Sequence, residues 1–132
     1  MLDIVSNIRN NITMKQKVNK KLMFNRRVFE LHADVCKTLA NPKRLEILYA
    51  LMEGELSVGE LVERLNLPKA NISQHLAILR QRRVVLSRRE GLNIYYRISN
   101  PKIMHACRLM REVLMKQIEE GKRLFGMVGK GT

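Results

Sequence analysis

Apolar residues recur along this chain at helical spacing in five stretches and change once to alternation. Phe24, Val28, Leu31, Val35 and Leu39 repeat at intervals of four and three, the spacing that lines one face of an α-helix. Asn41-Pro42 interrupts that face. Asn41 suits a helix cap, and Pro42 suits a first helical position, where its missing N–H costs little. The second helix carries Leu45, Ile47, Leu48, Leu51 and Met52. It is expected to stop at Glu53-Gly54, with Gly54 as the left-handed residue at its end. Ser57 and Glu60 form a capping box for a third helix, whose inner face is Val58, Leu61, Val62 and Leu65. Asn66-Leu67 reads as a tight turn and Pro68 as the start of a fourth helix. In that helix Ile72, Leu76 and Leu79 point inward and Lys69, Asn71, Ser73 and Gln74 outward.

The period then changes. Residues 84–87 and 93–98 read as two strands, joined by a turn at Arg88-Arg89-Glu90-Gly91 in which Gly91 takes a positive φ. Ser99-Asn100-Pro101 caps and opens a last helix. Along it Ile103, Cys107, Met110, Leu114 and Ile118 keep the near-heptad spacing of a helix that packs on another. The predicted class is mainly α with a small β-hairpin. Two short helices about a turn, followed at once by a basic hairpin, is the order of a winged helix-turn-helix.

The ends read differently. In residues 1–25, Leu2, Ile4, Val5, Ile8 and Ile12 sit at rough helical spacing, but frequent Asn weakens helix propensity. Lys15, Lys17, Lys20 and Lys21 follow. A short frayed helix and a basic arm are expected, either a loose tail or an arm that reaches DNA. Gly121, Gly126, Gly129 and Gly131 make a loose tail of residues 121–132. The folded domain is therefore expected over residues 26–120.

Charge sharpens this picture. The 132 residues carry a formal charge of +13, which favours polyanionic partners. Aromatic residues are 5% and Trp is absent, too few for the stacking platforms that hold single strands. No apolar run reaches the length of a membrane span and no apolar signal core opens the chain, so a cytoplasmic protein without a membrane partner is expected. The sequence has no Gly-rich phosphate loop, no nucleophile–base spacing and no paired carboxylates, so no enzyme is expected. Cys36 and Cys107 are the only cysteines, and neither belongs to a CxxC array.

The runs ANPKRLEIL (40–48), GELSVGEL (54–61), NISQHLAILR (71–80) and SRREGLNIYYRIS (87–99) together resemble the ArsR/SmtB family of winged helix-turn-helix repressors. The resemblance spans about residues 28–118. It implies a homodimer through first and last helices, an inverted-repeat operator in double-stranded DNA, and release when an inducer changes the dimer. It places the recognition helix at about residues 69–81, with Lys69, Asn71, Ser73, Gln74 and His75 near bases and phosphates. Gln74 is the best candidate base reader, since an amide can pair bidentately with adenine. Arg88 and Arg89 fall in the wing, and Arg82 and Arg83 add charge beside it. Two departures stand out. Gln81-Arg82-Arg83 replaces the usual Gly-containing turn, so that helix end needs another way to be satisfied. Pro68-Lys69-Ala70 replaces a Ser-rich helix start.

The sensor is less legible. The third-helix cysteines of arsenite sensors are absent, with Ser57 and Gly59 in their place, and the last helix lacks the Asp and His pattern of zinc sensors. The SVGEL run is closer to the thiol- and sulfide-responsive branch. Cys107 matches one member of that branch's cysteine pair; Tyr49 stands where the other would be. Three readings stay open. Cys36 and Cys107 are small buried residues, or a thiol switch by oxidation or persulfidation, or, with His32 and His105, an N/S metal site. No cofactor is otherwise expected. A basic RNA-binding module is the rival from another class.

Overall fold

The computed structural model describes residues 20–121. The chain falls into two compact units, Met1–Asn41 and Pro42–Thr132. The expected frayed helix over residues 2–12 and the tail beyond residue 121 lie outside the described residues.

In the first unit, residues 20–23 are helical and α1 (Arg26–Leu39) follows. Asn25 separates them and caps α1, its side-chain oxygen accepting from the Arg27 N–H at 2.8 Å. The apolar spacing from Phe24 thus spans a helix start that it does not reveal. Val28, Val35 and Leu39 are half-buried, whereas Phe24, Phe29 and Leu31 remain exposed.

The second unit contains α2 (Pro42–Leu51), β1 (Leu56–Ser57), α3 (Val58–Leu65), α4 (Lys69–Gln81), β2 (Val85–Glu90), β3 (Asn93–Ile98) and α5 (Pro101–Glu120). Its core joins Ile47, Leu48 and Leu51 of α2 to Leu61 of α3, to Ile72, Leu76 and Leu79 of α4, and to Val84 and Val85 at the start of β2. Helix α4 packs on α2, α3 and β2, so its inner face is fully enclosed. From α5 the buried side chain is Met104. Ile103, Cys107 and Ile118 are half-buried, and Leu109, Met110, Val113 and Leu114 are exposed.

The β structure departs from expectation in two ways. The sheet has three antiparallel strands in the order β1-β3-β2, not two. Leu56 pairs with Tyr96 and Ser57 with Tyr95, a two-residue strand too short to leave a sequence signal. Strand β2 also runs on through Arg88, Arg89 and Glu90, which pair with Tyr95, Ile94 and Asn93. The turn is therefore Gly91-Leu92, not residues 88–91. Gly91 at φ +63° with Leu92 outside the positive-φ region is the pattern of a type II′ loop, whose twist suits a tight hairpin. Charge on both strand faces hid these residues, because the hairpin projects from the core and has no apolar side to alternate with.

Two backbone expectations are also revised. Gly54 ends α2 at φ +148°, not at the left-handed helical value near +57°. Helix α4 begins at Lys69, and Pro68 is its cap residue rather than its first helical one. Asn66 takes the left-handed conformation at the end of α3, φ +53° and ψ +45°, and Asn tolerates it better than most residues.

Candidate nucleic-acid interface

Local sequence sets α3 firmly. The Ser57 Oγ accepts from the Glu60 N–H at 3.2 Å, while the Glu60 carboxylate accepts from the Ser57 N–H at 3.1 Å. The left-handed Asn66 then turns the chain so that α4 leaves α3 at the next residues. Pro68 supplies no side-chain cap to α4, so the first backbone N–H groups of that helix have no side-chain acceptor. Helix N-termini of this kind attract anions.

Helix α4 is divided by burial. Ile72, Leu76 and Leu79 are 0% exposed, and Lys69, Asn71, Ser73 and Gln74 lie on the solvent side. The structure thus brings these four candidates onto one short helix. Ala70, Ala77 and Arg80 share the exposed surface. Sequence reading passed over Arg80 and the two alanines, although small apolar side chains can meet thymine methyl groups.

His75 is different. It is half-buried and its Nδ1 accepts from the Arg44 Nε–H of α2 at 3.3 Å. Burial, and then the Arg44 charge, hold its pKa below the ordinary histidine value. The imidazole is therefore neutral at pH 7, with its proton on Nε2, and part of its hydrogen-bonding capacity joins α2 to α4.

The unusual end of α4 is satisfied by a Schellman arrangement. The Val84 N–H donates to the Leu79 carbonyl and the Arg83 N–H to the Arg80 carbonyl, both at 2.9 Å. Arg83 occupies the left-handed position at φ +57°, where glycine is the residue without strain. Arg82 is the cap residue, and both arginines are exposed.

In the wing, Arg88 and Arg89 differ in their surroundings. The Arg88 guanidinium makes four hydrogen bonds to two carboxylates, three to Glu55 and one of 2.7 Å to Glu90. It also lies over the Tyr95 ring, 4.9 Å from its centre. Those bonds hold the Glu55 carboxyl below its ordinary pKa and raise that of Arg88. Arg89 is exposed on the opposite strand face and has no carboxylate partner among the described residues.

The sensor candidates lie on two helices, α1 and α5. Cys36 is an exposed free thiol on α1, and Cys107 is a half-buried free thiol on α5. Burial raises the Cys107 pKa, and Arg111 opposes that rise. His105 is exposed and shares a 3.3 Å hydrogen bond with Arg108. Among the described residues no three His, Cys, Asp or Glu side chains gather as metal ligands would; His32 and Cys36 lie on α1, and His105 and Cys107 on α5. Arg111 also covers the Tyr49 ring at 4.5 Å, and the buried Tyr49 hydroxyl has no hydrogen-bond partner among the described residues. No described helix is long and apolar enough to cross a membrane.

Comparison with known proteins decides the family. Residues 41–87 match the family described as "Bacterial regulatory protein, arsR family". The HTH-type transcriptional regulator Rv0081 of Mycobacterium tuberculosis is 38% identical over 94 residues, covering 70% of this chain and 82% of its own. The chain belongs to the arsR family. Its crystallised relative Rv0081 superposes with a TM-score of 0.65 at 37% identity, over 73% of this chain and 97% of the relative. The transcriptional repressor PagR of Bacillus anthracis superposes with a TM-score of 0.59 at 37% identity, over 65% of this chain and 99% of PagR. A homodimeric winged helix-turn-helix DNA-binding domain from Mycobacterium bovis, Mb0332, does so with a TM-score of 0.65 at 31% identity, over 70% of this chain and 86% of that domain. This arsR-family chain is thus a winged helix-turn-helix transcriptional regulator, and its relatives are DNA-binding regulators rather than enzymes.

Proposed function

We propose that this chain acts in the cytoplasm as a dimeric repressor, bound to an inverted-repeat operator until a thiol-reactive inducer releases it. The division of α4 carries the DNA-reading part of this proposal. A helix with three fully buried apolar anchors and an exposed row of Lys69, Asn71, Ser73 and Gln74 holds short polar side chains rigidly outward, as major-groove reading requires. Gln74 reads a base. Lys69, Arg82, Arg83 and Arg89 contact phosphates and release counterions.

Apolar surface that a single chain leaves open supports the dimer. Leu109, Met110, Val113 and Leu114 on α5, with Phe29 and Leu31 on α1, are all exposed, and a second copy would cover them. Two recognition helices would then meet successive major grooves about 34 Å apart. Repression is favoured by the likeness to PagR, and Cys36 with Cys107 supply the thiols.

Selection of duplexes from a random pool, followed by footprinting, tests this reading. The expected result is a protected inverted repeat whose binding survives excess structured RNA and weakens on mild oxidation. Loss of binding to RNA competitor would favour an RNA-binding module. Indifference to oxidant and reductant would remove the thiol inducer.

A further inference from the structure

Arg88 lies in the wing, where phosphate contacts are expected, yet its guanidinium is already engaged. Three of its four hydrogen bonds go to Glu55, two of them at 2.8 Å, and the fourth goes to Glu90. Glu55 precedes β1, which pairs with β3, so sheet pairing holds this carboxylate against the wing. The Glu55 side chain is 27% exposed and that of Arg88 48%, so water screens the pair less than it would two fully exposed ions. A carboxylate in this place presents to a guanidinium the same planar pair of oxygens as a phosphate diester does.

We propose that Glu55 is a built-in competitor of the DNA backbone: it holds Arg88 in the wing and lowers the affinity of this chain for duplex DNA. The inference rests on the DNA-binding reading above and adds a residue that limits it. Arg89, on the other face of β2, is the wing cation that contacts phosphate while Arg88 is held. When Glu55 is neutralised, Arg88 turns to the phosphate that the carboxylate had replaced. Glu90 alone keeps only one of the four hydrogen bonds, so Glu55 is the dominant holder.

The test is a double-mutant cycle on the full chain, using a 30-base-pair duplex of random sequence so that binding reports charge rather than base reading. Wild type, Glu55→Gln, Arg88→Ala and the double variant are titrated across a salt series, and each is checked for folding by circular dichroism and thermal melting. Glu55→Gln should bind more tightly than wild type. Its log affinity should fall more steeply with log salt, by about 0.9 for each wing engaged. Its advantage should therefore shrink by about three-fold for each wing between 50 and 200 mM salt. In the Arg88→Ala background the same substitution should give only the smaller gain of one lost negative charge, with little change of slope.

Equal gains in both backgrounds would overturn the proposal, since the effect would then be net charge alone. Weaker binding by folded Glu55→Gln would also overturn it, since the ion pair would then be a support that the bound wing needs. If wild type binds the duplex with a normal salt slope, either result removes the competitor and leaves the DNA-binding reading intact. A wild type that ignores the duplex at 50 mM salt removes both.

Discussion

Arg44 of α2 donates its Nε–H to Nδ1 of His75 on α4, a 3.3 Å bond between residues 31 apart in sequence. It ties the helix that carries the exposed polar face to the helix beneath it. The bond exists only while Nδ1 has a lone pair, because a protonated imidazole would set two cations against each other.

The pH dependence follows from that geometry. Burial and the Arg44 charge lower the folded-state pKa of His75 below its ordinary value of 6.5. The unfolded chain therefore takes up the proton first as pH falls. The stabilisation is complete above pH 6.5 and is lost as pH drops through the folded-state pKa. Thermal melting between pH 7.5 and 5.5 should show wild type losing stability towards the acid end. His75→Gln should lose less over that interval. Equal losses would mean that His75 does not titrate differently on folding.

Arg83 offers a separate test. Its left-handed φ costs a non-glycine residue about 1 kcal/mol or more, and the Schellman bonds hold it there. Arg83→Gly should raise stability by about 0.5–1 kcal/mol, a gain of several degrees in Tm for a domain of this size. The same variant should bind duplex DNA more weakly, with a shallower salt dependence. Higher stability with unchanged DNA affinity would show that the strained cation has no part in binding.

What the sequence disclosed, and what it hid, divides by distance along the chain. The Ser57–Glu60 capping box needs only a three-residue spacing, and both of its bonds are present. The inner face of α4 is likewise local, since Ile72, Leu76 and Leu79 fall on one side at helical spacing and are all fully buried. Asn100 and Pro101 open α5 as expected, with the Asn100 side chain accepting from the Lys102 N–H at 2.9 Å. The missed features are long-range. Strand β1 exists only because Leu56 and Ser57 meet Tyr96 and Tyr95, about forty residues on. The Glu55–Arg88 and Arg44–His75 contacts likewise join separate motifs. Arg88 and Arg89 read as a turn because a charged hairpin carries no apolar alternation, and pairing across to β3 settles where that turn falls.

Gln74 and Leu76 allow the proposed base reading to be tested apart from folding on one helix. Gln74 is exposed and Leu76 is 0% exposed, two residues apart. Gln74→Ala should leave the melting temperature within about 2 °C of wild type, as a surface change does. On the selected operator it should cost about 1–3 kcal/mol and relax discrimination at one base pair in each half-site. Leu76→Ala should cost about 2–5 kcal/mol of stability through the cavity it leaves. An unchanged footprint and affinity for Gln74→Ala would remove it from the contacts.

Cys107 supplies the last test, because its environment works against its own chemistry. Burial raises its pKa, and the Arg111 charge only partly opposes that. Its thiolate fraction near neutral pH is therefore small, and alkylation should be slower in the folded chain than in the unfolded one. The difference should narrow as pH rises, since the thiolate then forms in both states. If the thiols form the switch, mild oxidant should remove two hydrogens from the intact mass as Cys36 and Cys107 are joined. Reductant should restore both that mass and operator binding. Replacing either cysteine with serine should abolish the response while leaving binding by the reduced protein close to wild type. An operator complex that persists unchanged through oxidation would leave Cys107 as a packing residue and move the search for the inducer elsewhere.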